Sequence, residues 1–188
     1  SMDDSGSDTI TFDENITLRS TGSFILLVAG DGITVNPTTV LNAATYIEIR
    51  SDWEDGTLNE TLNAAPVNSV NHGAVITTQG TFIAPLGMYI NTYGGPDTIN
   101  LYTVADTVTT TVHTGAGADV INLYRSSNLA GSQTNIYGDD GDDNFNLYNT
   151  INNVTIDGNG GVDTFHMYLA PTSSGTMTCR EPASSSGG

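Results

Sequence analysis

The pattern Gly-x-Asp-x-(Ile/Phe)-x-(Leu/Met)-Tyr occurs four times in this chain of 188 residues. The copies are GPDTINLY (95–102), GADVINLY (117–124), GDDNFNLY (141–148) and GVDTFHMY (161–168). Their aspartates, Asp97, Asp119, Asp143 and Asp163, lie 22, 24 and 20 residues apart by subtraction of their numbers. A period of this size marks a stack of supersecondary units. Each copy follows a short apolar segment: MYINTY, TTVHT, TNIY or NVTID. One unit therefore reads strand, Gly/Asp turn, strand and a Ser/Thr/Asn-rich return. Two short strands cannot bury their own apolar face, whereas units stacked at strand spacing can. The expected fold is all-β, a right-handed parallel β-helix (β-solenoid) with about 20–24 residues per coil in the C-terminal half.

The N-terminal half repeats less cleanly. TITF, NITLRS, FILLVAG, GITVN and TYIEIRS read as short strands between turns, and RSDWEDGTLNETL resembles a diverged acidic turn. The expectation is a leader outside the fold (1–8), irregular N-terminal β coils or a cap (9–86), regular solenoid repeats (87–172) and a C-terminal linker (173–188). An independent small β-domain, bounded near TTQGTFIAPLG, is the alternative for the first half.

Composition removes several function classes. The chain has 21 acidic residues against four basic ones, all arginines, for a net charge of −17. Nucleic acid is not an expected partner, because phosphates are bound by Lys/Arg stripes. No apolar run approaches 18 residues, so no membrane-spanning helix is expected. The single cysteine, Cys179, supports neither a disulfide framework nor a Cys-based zinc site. His72, His113 and His166 stand in unrelated contexts, no Gly-x-Ser-x-Gly elbow occurs, and the carboxylates recur in turns rather than forming one unique pair. The chain is therefore not expected to be an enzyme.

The turns carry the distinctive chemistry. Glycines permit positive φ, which tight turns use. Stacking brings the repeat aspartates close together, and a column of like charges is costly without a cation or a proton. Calcium takes six to eight oxygens from carboxylates and carbonyls. Over about residues 88–170, the turns YGGPD, TGAGAD, GDDGDD and DGNGGVD resemble the calcium-binding nonapeptide repeat of RTX (hemolysin-type) proteins, G-G-x-G-x-D-x-U-x, diverged to one unit per coil. That resemblance implies calcium between stacked turns, held by Asp97, Asp119, Asp143 and Asp163, with Asp139, Asp140, Asp142 and Asp157 as further carboxylates. The third and fourth turns fit best, the second less well and the first least. The alternative is a metal-free ladder in which each aspartate bonds amides of a neighbouring turn.

Strand alternation sends Asn100, Asn122, Asn146 and His166 outward. The adjoining Tyr102, Tyr124, Tyr148 and Tyr168 are expected on the same outer surface. This face is either a platform for carbohydrate or ice, or a ladder that stabilises neighbouring coils. The combined expectation is a non-enzymatic structural or adhesive module of an extracellular or cell-surface protein. Its expected partners are calcium ions and, as alternatives, carbohydrate or another copy of the module.

Overall fold

The computed structural model of the chain describes residues 8–51, 73–102, 109–125, 131–149, 152–168 and 175–181. The N-terminal strands are β1 (Thr9–Phe12), β2 (Thr17–Ser20), β3 (Ile25–Val28), β4 (Gly32–Val35), β5 (Val40–Ala43), β6 (Tyr46–Arg50), β7 (Val75–Thr78), β8 (Thr81–Ile83) and β9 (Gly87–Asn91). They are followed by β10 (Thr98–Leu101), β11 (Thr109–His113), β12 (Val120–Leu123), β13 (Gln133–Tyr137), β14 (Asn144–Leu147), β15 (Asn153–Asp157), β16 (Thr164–Met167) and β17 (Met177–Arg180). Among the described residues no helix is long and apolar enough to cross a membrane.

The strands form a parallel β-solenoid. One seven-stranded wall runs β1-β4-β7-β10-β12-β14-β16 and a second runs β3-β6-β9-β11-β13-β15-β17. A third wall holds only β2-β5-β8. The early coils thus use three strands and the later ones two. β7 pairs in parallel with both β4 and β10, so the irregular first half and the repetitive second half share one sheet.

Alternation within each strand builds the core. In the first wall Ile10, Ile33, Ile76, Ile99, Ile121, Phe145 and Phe165 occupy one register column. Leu101, Leu123 and Leu147 stack in the next inward column. Ile47, Met88, Thr110, Thr134, Val154 and Met177 line the opposite wall in register. Phe145 is fully buried and its ring stacks on Phe165 at 5.0 Å. Cys179 is a half-buried free thiol that packs against the core beside Ile156. A coil deprived of an inward residue leaves a void that neighbouring coils, fixed by their own ladders, close poorly. Phe145→Ala is therefore expected to destabilise the chain by about 3–5 kcal/mol, measured by denaturant unfolding.

Candidate functional site

Four six-residue turns connect the second wall to the first: 92–97, 114–119, 138–143 and 158–163. Their backbones repeat. The second residue has positive φ in each: Tyr93 (69°), Gly115 (88°), Asp139 (65°) and Asn159 (64°). The third residues, Gly94, Ala116, Asp140 and Gly160, are joined by successive parallel bridges. The fourth is always glycine, Gly95, Gly117, Gly141 or Gly161, again with positive φ. A Cβ on Gly141 would overlap the carbonyl oxygen of Gly117 one coil earlier, so chain contact as well as φ demands glycine there.

The sixth residue is the repeat aspartate, and it forms a ladder. The amide N–H of Asp97 donates to Asp119 Oδ1 (2.7 Å), that of Asp119 to Asp143 Oδ1 (2.9 Å) and that of Asp143 to Asp163 Oδ1 (2.9 Å). Ala74 N–H donates to Asp97 Oδ1 at 2.5 Å. The column extends further than the four repeats. Asp8 N–H donates to Asp31 Oδ2 at 2.6 Å, just before β1 and β4. At the other end Glu181 accepts the amide of Asp163 and stands where a next aspartate would. Asp8, Asp31 and Glu181 were not recognised from sequence. GSDTI (6–10) and GDGITV (30–35) carry the motif's Gly, Asp and Ile spacing in whole or in part and are the signal that finds two of them.

Asp97, Asp119 and Asp143 are buried, at 1% exposure each. Asp163, nearer the end of the stack, is partly covered. The second oxygens of Asp143 and Asp163 find no hydrogen-bond partner in the protein. They sit against the α-carbons of Gly138 and Gly158, in the space a side chain would fill. In the second turn this first position is Thr114, whose hydroxyl lies beside Asp119 and donates to the Gly138 carbonyl at 2.7 Å. Burial raises the carboxyl pKa values of Asp119 and Asp163. For Asp143 burial, reinforced by the carboxylates of Asp119, Asp163 and Asp139 and opposed by the Asp119 amide, pushes it up to about 7.

The other carboxylates of the third turn diverge. Asp139 accepts from Gly115 N–H (3.3 Å), pairs with His113 Nδ1 (3.0 Å) and receives Asn159 Nδ2 (3.4 Å). Asp142 Oδ1 accepts Val162 N–H at 2.8 Å, and Asp140 is exposed at the bridge position. Asp157 lies outside the turn, ending β15 in register with Arg180. Among the described residues no three or more His, Cys, Asp or Glu side chains group so as to hold a metal ion. Any cation at these turns would be held by the orphaned carboxylate oxygens and the turn carbonyls rather than by a cage of side chains.

The outer face is a pair of ladders. Asn122 Nδ2 donates to Asn100 Oδ1 (2.9 Å) and Asn146 Nδ2 to Asn122 Oδ1 (3.0 Å), and His166 Nδ1 lies 3.2 Å from Asn146 Oδ1. The tyrosine rings stack nearly parallel, Tyr102 on Tyr124 at 4.1 Å, Tyr124 on Tyr148 at 4.7 Å and Tyr148 on Tyr168 at 5.0 Å. Tyr102 and Tyr168 are exposed and the inner two half-buried. Ring faces inside such a column are covered by neighbouring rings, and only edges meet solvent. A sugar that packs on a ring face finds one at the ends alone.

Neither family models, characterised proteins nor solved structures give a match to this chain.

A carboxyl that holds its proton more tightly in the folded than in the unfolded chain lends stability at low pH, and this is lost as pH rises. For Asp143 the window runs from about 4, the ordinary carboxylate value, to about 7. In EDTA the thermal midpoint is expected to be higher at about pH 5 than at about pH 8. Asp143→Asn keeps the Oδ1 acceptor without the charge. It is expected to raise the midpoint at the higher pH and to flatten the profile, which separates this carboxyl from general charge repulsion.

Proposed function

We propose that the chain is a non-enzymatic structural or adhesive β-solenoid module of an extracellular or cell-surface protein, acting as a stiff stacked segment. One observation carries the reading: the side chains that the repeat preserves are engaged with their counterparts in adjacent coils. Aspartates bond amides, asparagines bond asparagines, and tyrosines cover tyrosines. Residues repeated for this purpose supply cohesion between coils, the property a stalk or spacer requires. The net charge of −17 suits a surface that stays dispersed.

A metal-free ladder, with protons shared into the buried column, is the form best supported by the amide contacts of the aspartates. Calcium is the second reading, favoured by the orphaned oxygens of Asp143 and Asp163. These residues, with turn carbonyls, would hold the ion, which would supply the positive charge that the column lacks. An ion that binds only the folded turns stabilises them by mass action, by about 2.7 kcal/mol at a concentration 100 times its dissociation constant.

Thermal unfolding at about pH 8, first in EDTA and then with calcium at about the millimolar extracellular level, distinguishes the two. An unchanged midpoint supports the metal-free ladder. A rise that Asp143→Asn abolishes supports calcium. The structural role itself predicts that Tyr148→Ala, which interrupts the ring column at its middle, lowers unfolding stability by about 1–3 kcal/mol. Stability equal to that of the parent chain would contradict it.

A further inference from the structure

His113 and Asp139, 26 residues apart, meet across consecutive coils, with Nδ1 3.0 Å from Oδ2 and 3.3 Å from Oδ1. A neutral imidazole that donates from Nδ1 keeps its lone pair on Nε2. One face of the His113 ring is covered by Tyr137 of the following coil, at 4.5 Å between centroids and 8° between planes. The register partner of His113 in the preceding coil is Asn91. Here lies a pocket of about 350 Å³, lined among the described residues by Asn91, Tyr93, His113, Gly115 and Asp139. Its size falls at the lower end of the range of ligand sites, roughly 300–1,000 Å³.

At the second turn position the successive residues are Tyr93, Gly115, Asp139 and Asn159, so a residue without a side chain lies between a phenol and a carboxylate, and a Cβ on it would overlap the Tyr93 carbonyl. The hollow lies beside the first three of these residues. Behind it, Arg50 and Glu48 are buried and paired, Nε to Oε1 at 2.8 Å, and Asn91 Nδ2 reaches the same Oε1 at 3.5 Å. Burial pushes the Tyr93 phenol up to about 12, so it remains a hydroxyl at neutral pH.

This lining selects the chemistry of a ligand. Anions meet the Asp139 carboxylate on a chain of net charge −17, and the nearby Arg50 is fully buried and paired with Glu48. For a cation the pocket offers one carboxylate, which already accepts from an imidazole, an amide and an asparagine. The walls carry an asparagine amide, a phenol, an imidazole and one oriented carboxylate. Hydroxyl groups match this because each both donates and accepts. We propose that this pocket binds a single neutral pyranose residue, with His113 and Asp139 as its main polar contacts. The site is separate from the tyrosine column and from the buried aspartates, and its test does not depend on calcium.

The test is NMR titration of the full ¹⁵N-labelled chain with the methyl glycosides of glucose, galactose and mannose, each to about 50 mM, a range that detects millimolar affinity. The expected result is saturation transfer to at least one glycoside, with amide shifts centred on Tyr93 and Gly115. His113→Phe keeps a ring to stack on Tyr137 and removes the nitrogens. Asp139→Asn removes the charge and provides a second variant should the first not fold. Each is expected to weaken binding about tenfold or more. The proposal is overturned if no glycoside shifts those amides, if the shifts map elsewhere, or if both folded variants bind like the parent chain.

Discussion

The hydrogen bond from the amide of one turn aspartate to the carboxylate of the next is the contact on which the stack depends. The sixth residue of each turn directs its N–H along the solenoid axis, where water does not reach. An unpaired buried amide costs about 1–3 kcal/mol. A short carboxylate at the same position one coil later satisfies it, and that carboxylate's own amide then needs the following coil. The requirement passes from Asp97 through Asp119 and Asp143 to Asp163 and ends on the exposed Glu181. The same bond that joins the coils also gathers negative charge into a dry column. Its charge must be balanced by a proton or a cation, and the balance is most acute at Asp143, which faces the carboxylates of Asp119, Asp163 and Asp139.

The other ladders obey the same geometry. In a parallel, in-register stack each residue lies beside its equivalent one strand away, so any side chain that pairs with its own kind is favoured. Asparagine amides donate to the preceding asparagine, tyrosine and phenylalanine rings stack, and isoleucines fill one column. Repetition in the sequence and cohesion in the structure are thus two descriptions of one constraint. The second turn position does not repeat, running Tyr93, Gly115, Asp139 and Asn159, and a hollow lies beside the first three of these residues.

Much of this architecture was legible from residue spacing, because the aspartate, the two apolar residues and the tyrosine recur together and each has one place in a coil. The third wall was less legible, since β2, β5 and β8 are three or four residues long and carry no shared motif. Asp31 escaped notice because Ala74 interrupts the column between it and Asp97, so no period links the two. The acidity of the third turn suggested convergence on one point. Two residues of positive φ within six, however, send Asp139, Asp142 and Asp143 in different directions, which spacing alone does not reveal. The pairing of His113 with Asp139 was equally hidden, because it depends on the offset between a strand end and the second position of the next coil's turn.

Titration of the aspartate side-chain carboxyl carbons by ¹³C NMR in the metal-free chain tests the central claim most directly. A dry, amide-bonded column predicts raised midpoints for Asp119 and Asp163 and a midpoint near 7 for Asp143. Midpoints for all three in the ordinary range, about 4, would contradict it, since carboxyls that ionise so readily would be in contact with water.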